Sequence, residues 1–187
     1  LLLNGQPVAM EDVCELISSL EAHVATVFVE QADYANAIFP GSANTLRVLT
    51  LWDEVTGAPF VAAIVHRFGS KRSGPTDHWN KGYGGLCAGV DRESLVLGRA
   101  AWYEDGEQIS WTPVHPDSGE AIEGVAVPGL SKALDGVLAA AGCFPYCPAI
   151  GWDLLMTPDG YCIIEANTTY GLVIMQVHEP LLKDPRT

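Results

Sequence analysis

Gly151-Trp152-Asp153-Leu154-Leu155-Met156-Thr157-Pro158-Asp159-Gly160-Tyr161-Cys162-Ile163-Ile164-Glu165-Ala166-Asn167 is the stretch whose reading decides the fold. Two apolar runs flank Pro158-Asp159-Gly160, the signature of strand, tight turn, strand. Pro158 suits the first central position of a type I turn, Asp159 tolerates the second, and Gly160 supplies the left-handed residue of a bulge, so the loop is expected to have three residues. Thr157 then pairs with Tyr161. Counting back sets Asp153 opposite Glu165 on one face, with Asn167 two residues further along it. Two carboxylates facing each other in strands that are otherwise Ile, Leu and Met repel unless a cation lies between them. A metal ion resolves this: two carboxylates and an amide carbonyl make an all-oxygen set suited to Mg²⁺. In the competing reading Asp153 caps a strand end in solvent while Glu165 and Asn167 merely finish another. Spacing alone leaves both open.

Outward from this hairpin, the chain alternates short strands with few helices. Asn4-Gly5 predicts an opening hairpin, residues 10 to 22 a helix, and Val24 to Glu30 a buried strand. Residues 44 to 52 and 58 to 68, rich in Val, Leu, Thr and Ile, read as a second hairpin. A long Gly-rich loop follows over 69 to 85, then strands near 86 to 90, 95 to 103 and 107 to 112. Leu130 to Ala141 is a helix closed by Gly142, and strands 149 to 156 and 161 to 166 finish the regular part. Antiparallel hairpins with flanking helices define an α+β class.

The 187 residues suffice for one domain with a real core, and 48% hydrophobic against 18% charged residues exclude a disordered chain. No apolar run reaches the roughly 20 residues of a membrane span. A net charge of −13 argues against nucleic acid and anionic lipid as partners. Five cysteines at irregular spacing point to free thiols in a reducing cytoplasm rather than to a disulfide framework. The start, Leu1-Leu2-Leu3, has neither an initiator Met nor a signal-peptide pattern and reads as the start of a fragment.

Within this acidic chain, Arg67, Lys71, Arg72 and Lys81 cluster in and beside the Gly-rich loop. Glycines there allow backbone N–H groups to approach an anion, and Asn80 adds a side-chain donor. A solvated surface loop is the competing account. Arg47, between Leu46 and Val48, is the more telling cation, because an Arg in an apolar strand needs a fixed anionic partner, either a phosphate or a structural carboxylate.

Taken in order, Phe28-Val29-Glu30-Gln31, Asn44-Thr45-Leu46-Arg47, Arg67-Phe68-Gly69, Asn80 with Gly84-Gly85-Leu86, His115-Pro116-Asp117, Gly151-Trp152-Asp153 and Glu165-Ala166-Asn167 resemble the ATP-grasp superfamily, most specifically its sugar-transfer-associated branch. The resemblance implies ATP-grasp-like antiparallel sheets with flanking helices. It implies that Asp153, Glu165 and Asn167 hold Mg²⁺ on the ATP phosphates, that Arg47 contacts the terminal phosphate and points into the same cleft, and that Glu30 and Gln31 make backbone contacts to adenine. Arg67 joins the nucleotide-binding set and Asn80 the catalytic one. Such enzymes phosphorylate a carboxylate with ATP and let an amine or another nucleophile displace phosphate, so both partners are small molecules. On this basis 1-187 is a partial ATP-grasp domain, with 1-31 the end of the nucleotide-clasping lobe and 32-187 the metal- and phosphate-binding lobe. The phosphate-contacting lysines of an N-terminal lobe are not found here, which implies a fragment inactive by itself.

Two other functions compete: a catalytically silent nucleotide-binding module, and a sugar-binding domain using Trp79, Trp102 and Trp111 as stacking platforms. The joint presence of Arg47, Asp153, Glu165 and Asn167 counts against the first. Burial of the tryptophan rings would count against the second.

Overall fold

A computed structural model describes residues 2–3, 6–22, 27–104 and 107–187 of the chain. Its centre is a seven-stranded antiparallel sheet in the order β7-β6-β5-β4-β3-β8-β9. The strands are β3 (Leu46–Asp53), β4 (Ala58–Phe68), β5 (Leu86–Val90), β6 (Leu97–Tyr103), β7 (Ile109–Thr112), β8 (Ala149–Thr157) and β9 (Gly160–Asn167). A separate two-stranded ribbon, β1 (Leu2–Leu3) and β2 (Gln6–Pro7), pairs Leu2 with Pro7 and Leu3 with Gln6. That register suits the expected opening hairpin, whose Asn4-Gly5 turn lies outside the described residues.

Strand alternation gives the sheet two buried faces. On one, Leu46, Val48, Ile64, Leu86, Trp152 and Leu154 pack against helix α3 (Leu130–Gly142). Leu130, Ala133, Val137 and Ala141 recur at three- and four-residue spacing and are all at most 3% exposed, which is the stripe an amphipathic helix needs to dock. Gly136 interrupts the helix at a propensity cost of about 1 kcal/mol, and its reason is steric. A Cβ there would fall 1.8 Å from the Tyr161 hydroxyl of β9.

Helix α2 (Asp33–Ile38) covers the same face. Its Tyr34 hydroxyl donates to Nε2 of the fully buried His66 at 2.8 Å, and His66 Nδ1–H donates to the Arg67 carbonyl at 3.1 Å. Burial pushes the His66 pKa down to about 3 and raises that of the Tyr34 phenol. The ring is therefore held neutral, with its tautomer fixed by both neighbours.

The other face buries Leu49, Val65, Trp79, Cys87, Ala101 and Met175. The C-terminal segment covers it through α4 (Leu172–Gln176) and a single 3₁₀ turn, Leu181–Lys183. Anchors are the His178 Nε2 to Cys87 Sγ contact at 3.3 Å, the Arg92–Asp184 ion pair at 3.0 Å and the Arg186 guanidinium 4.0 Å over the Phe60 ring. All five cysteines are free.

Three expectations need correction. Residues 27–30 of the supposed strand Val24 to Glu30 have no regular structure, and Val27 and Phe28 are 87% and 89% exposed; residues 23–26 lie outside the description. Helix α1 (Met10–Ser19) ends before residue 22 and buries no residue, so its apolar spacing did not mean core packing. The hairpin loop is two residues, Pro158-Asp159, because Gly160 pairs directly with Thr157 instead of serving as a loop bulge.

Candidate functional site

The β8–β9 ladder nevertheless brings Asp153 opposite Glu165. Leu154 pairs with Ile163 and Asp153 with Glu165, so Ile164 is an extra residue in the edge strand. This bulge shifts the register by one residue and offsets the one-residue difference in the turn. Its physical effect is to re-aim the end of β9, as bulges commonly do beside functional sites. Asn167 then faces Gly151.

Arg47 and Asp153 are direct partners across β3 and β8. Arg47 Nε and Nη2 donate to the two Asp153 oxygens, the second at 2.9 Å, in a two-pronged pair. Arg67, at the end of β4, adds a bond from Nη2 to Asp153 Oδ2 at 3.0 Å. Asp153 is only 4% exposed. Burial alone would raise its pKa, but the Arg47 hydrogen bond and the charges of Arg67 and Arg47 outweigh burial and hold it below the ordinary carboxylate value. The cation that relieves the two facing carboxylates is thus already supplied on the Asp153 side by protein guanidinium groups.

Arg67 is itself held from behind. Thr45 Oγ1 accepts from Arg67 Nε at 3.0 Å and also from Nη2, and donates to Asp77 Oδ2 at 2.6 Å. The same Asp77 oxygen accepts from Thr45 N at 2.8 Å and lies 3.4 Å from Arg67 Nε. Arg67 Nη1 makes no hydrogen bond among the described residues, where no buried polar side-chain atom lacks a partner, so Nη1 reaches solvent.

On the far side of Asp153, Glu165 is exposed and Asn167 half-buried on the open sheet edge. Asn167 Nδ2 donates to Glu165 Oε1 at 2.9 Å. The Asn167 amide oxygen accepts no hydrogen bond among the described residues, and the exposed Glu165 carboxylate, in side-chain contact with Asp153, stands beside it, so this pair fits a hard cation in both donor type and access. Among those residues no group of three His, Cys, Asp or Glu side chains is arranged to hold a metal. A cation here would therefore draw on Asn167, water and phosphate oxygens.

Two expected site residues stand elsewhere. Asn80 is exposed on the loop, its Nδ2 at 2.9 Å from His78 Nε2, and no hydrogen bond joins it to Arg47, Arg67 or Asp153. The Gln31 side chain is taken up by the fold: Oε1 accepts from Asn44 N and Nδ2 at 3.0 and 3.1 Å, and Nε2 donates to the Ser42 carbonyl at 3.0 Å. Glu30 is exposed beside it. The basic cluster also divides: only Arg67 enters the site, while Lys81 pairs with Glu107 at 2.5 Å and Lys71 and Arg72 are exposed. His115 is fully buried, stacked on Phe39, with Nε2 bonded to the Gly69 carbonyl at 2.8 Å. It is a packed strut of the core.

Sequence reasoning missed Asp77, Thr45 as its partner, and the carbonyl of Tyr170, which accepts from Arg47 Nη1 at 3.2 Å. Tyr170 can approach because residue 151 is Gly: a Cβ there would lie 2.6 Å from Tyr170 Cβ and 3.0 Å from its Cα. Gly151→Ala is expected to push the 168–171 segment outward, break the Arg47–Tyr170 bond and cost about 1–3 kcal/mol. Urea unfolding is the check, and wild-type stability would show that the segment yields freely.

A seven-stranded antiparallel sheet flanked by helices, with this arginine–carboxylate cluster and an acid–amide pair at its edge, is an α+β fold of the ATP-grasp class. The chain belongs to the family of sugar-transfer associated ATP-grasp proteins, whose profile matches residues 12–184. No curated protein and no solved structure matches it. No helix among the described residues is long and apolar enough to cross a membrane.

Proposed function

We propose that this chain is an ATP- and Mg²⁺-dependent ligase or phosphoryl-transfer domain that activates a small-molecule carboxylate as an acyl phosphate, within cytoplasmic steps of cell-surface polysaccharide metabolism. The supporting observation is the side-by-side placement of two guanidinium groups held on buried Asp153 and the solvent-facing Glu165–Asn167 oxygens. In the reaction a substrate carboxylate oxygen bonds to the γ-phosphorus as the bond to the bridging oxygen breaks and ADP leaves. An amine or other nucleophile then attacks the acyl carbon, and phosphate departs with the carboxylate oxygen.

In this reading Arg47 and Arg67 offset charge on the transferring phosphoryl group, the main electrostatic demand of such chemistry. Asp153 sets the direction of both arginines. Glu165 and Asn167, with the remaining capacity of Asp153, would hold Mg²⁺, which when bound neutralises phosphate charge. Residues 32–187 serve as the metal- and phosphate-binding lobe and residues 1–31 as the end of the nucleotide-clasping lobe, with Glu30 and the Gln31 backbone at their junction. Asn80 is left to the acceptor side. Of the three platforms of the sugar-binding alternative, Trp79 is 5% exposed with Nε1 donating to the Ala101 carbonyl and Trp102 is half-buried, while Trp111 is 42% exposed.

The test is Mg²⁺-dependent ATP turnover by the longest natural form of the protein, screened against amino-acid and sugar-acid acceptors with hydroxylamine to trap an acyl phosphate. Glu165→Gln is expected to lower kcat by about 100-fold while leaving stability within about 0.5 kcal/mol, because the side chain is exposed. Turnover indifferent to chelation and to this substitution would overturn the reading.

A further inference from the structure

We propose that Thr45 and Asp77 are positioning residues that fix which edge of the Arg67 guanidinium meets an incoming anion, and that through them the Gly-rich loop controls the site. The inference rests on the functional reading above for the identity of the anion, a nucleotide phosphate. The positioning itself stands on geometry.

An arginine has five N–H donors in one plane, and its use depends on which are already spent. Arg67 spends Nε on Thr45 and Asp77 and Nη2 on Thr45 and Asp153, which leaves Nη1 without a hydrogen bond among the described residues and accessible on a side chain 13% exposed. Rotating the plane would break contacts with all three partners at once. Thr45 serves as both acceptor and donor here, a role that needs a hydroxyl and cannot be filled by an isosteric methyl group.

Asp77 is the remote member. It lies in the 69–85 loop, and through one oxygen it takes the Thr45 backbone N–H, the Thr45 hydroxyl and the edge of Arg67. The loop is closed on its own side by Gly85 N donating to the His78 carbonyl at 3.2 Å, and Ser70 Oγ donates to the Gly84 carbonyl at 2.8 Å. Asp77 beside Nε and Asp153 on Nη2 therefore hold Arg67 at two of its nitrogens, one from a loop and one from the sheet. A loop movement that withdraws Asp77 removes the acceptor of the Thr45 hydroxyl and the carboxylate beside Nε, which loosens the hold on that edge of the guanidinium while the Asp153 bond stays in place.

The experiment combines a spectroscopic readout with anion binding. In ¹⁵N-edited NMR the Arg67 Nε–H signal, assigned by loss in Arg67→Lys, is expected to be protected from solvent exchange in the wild type. Protection should fall at least tenfold in Asp77→Asn and in Thr45→Val, and persist in Thr45→Ser, which keeps the hydroxyl. Titration calorimetry with Mg·ATP, and separately with pyrophosphate, should show about tenfold weaker binding in the two disrupted variants and recovery in Thr45→Ser. Thermal unfolding identifies a variant that has simply lost its fold; in that case Asp77→Glu, which keeps the charge but displaces the carboxylate by one methylene, is compared with Thr45→Ser, the first expected to lose protection and pyrophosphate affinity and the second to keep both. Unchanged Arg67 exchange in Thr45→Val, or lost protection with undiminished pyrophosphate binding, would overturn the proposal. Pyrophosphate binding that follows Arg67 protection while Mg·ATP does not bind would uphold the positioning and sink the nucleotide reading.

Discussion

Asp153→Ala is expected to destabilise the protein by about 3–5 kcal/mol, the usual cost of leaving buried charge without its partner. Here two guanidinium groups lose their shared counter-charge at once, with Arg47 and Arg67 side chains only 12% and 13% exposed. Glu165→Ala, at the exposed edge of the same facing pair, should change stability by no more than about 0.5 kcal/mol. Urea unfolding of the two variants measures the contrast, and equal, small effects would show that the arginines find other partners. Arg47→Lys should lower stability as well as turnover, since an ammonium cannot span both Asp153 oxygens. The depressed Asp153 pKa adds a pH signature: its stabilising contribution is full above the unfolded value of about 3.9 and is lost as pH falls through the lower folded value.

Acid should weaken the fold well before the carboxylates are protonated. His66 and His178 have folded pKa values driven down by burial to about 3 and about 4. Both are neutral in the fold yet charge near pH 6.5 in the unfolded chain. Their depressed values make the stabilising contribution full above about pH 6.5 and progressively lost as pH falls from there toward 4 and then 3, because the unfolded state binds more protons. His115, whose pKa burial also lowers, adds to the same effect, so unfolding free energy should decline between pH 6.5 and 4.5 with a slope of about two protons or more. Replacing both members of the buried pair, in Tyr34→Phe with His66→Leu, removes one of these histidines and should lower the slope by about one proton. A slope unchanged in that double variant would assign the acid sensitivity to other groups.

The strands of the central sheet were legible because hydrophobic alternation and turn residues mark them locally. Residues 58–68 and 86–90 form strands with the bounds their composition suggested. Helices α2 and α4 have six and five residues, too few turns to show a periodicity. At α1 a periodicity was present but the helix buries no residue, since spacing reports which residues could share a face and not what lies opposite. The pairing of Asp153 with Glu165 emerged correctly from a count that placed an extra residue in the turn, whereas the structure places it at Ile164. Parity along a strand is preserved wherever the additional residue falls, so sequence could fix the partner without locating the bulge. The neutralisation of Asp153 by Arg47 and Arg67 was beyond reach, because these three positions are joined only by sheet order. Asp77 gave no signal at all: a lone acid in a polar loop looks like any solvated residue.

The extra residue in β9 also bears on self-association. β9 is an outermost strand of the sheet, and its Ile163 and Ile164 are 39% and 51% exposed, the kind of apolar border on which another chain could add a strand and propagate into a polymer. At Ile164 the regular spacing of backbone donors and acceptors is interrupted, and a charged Glu165 follows at once. An intruding strand would lose its hydrogen-bond register there and meet a carboxylate. The irregularity beside Glu165 is therefore expected to disfavour strand addition along this border.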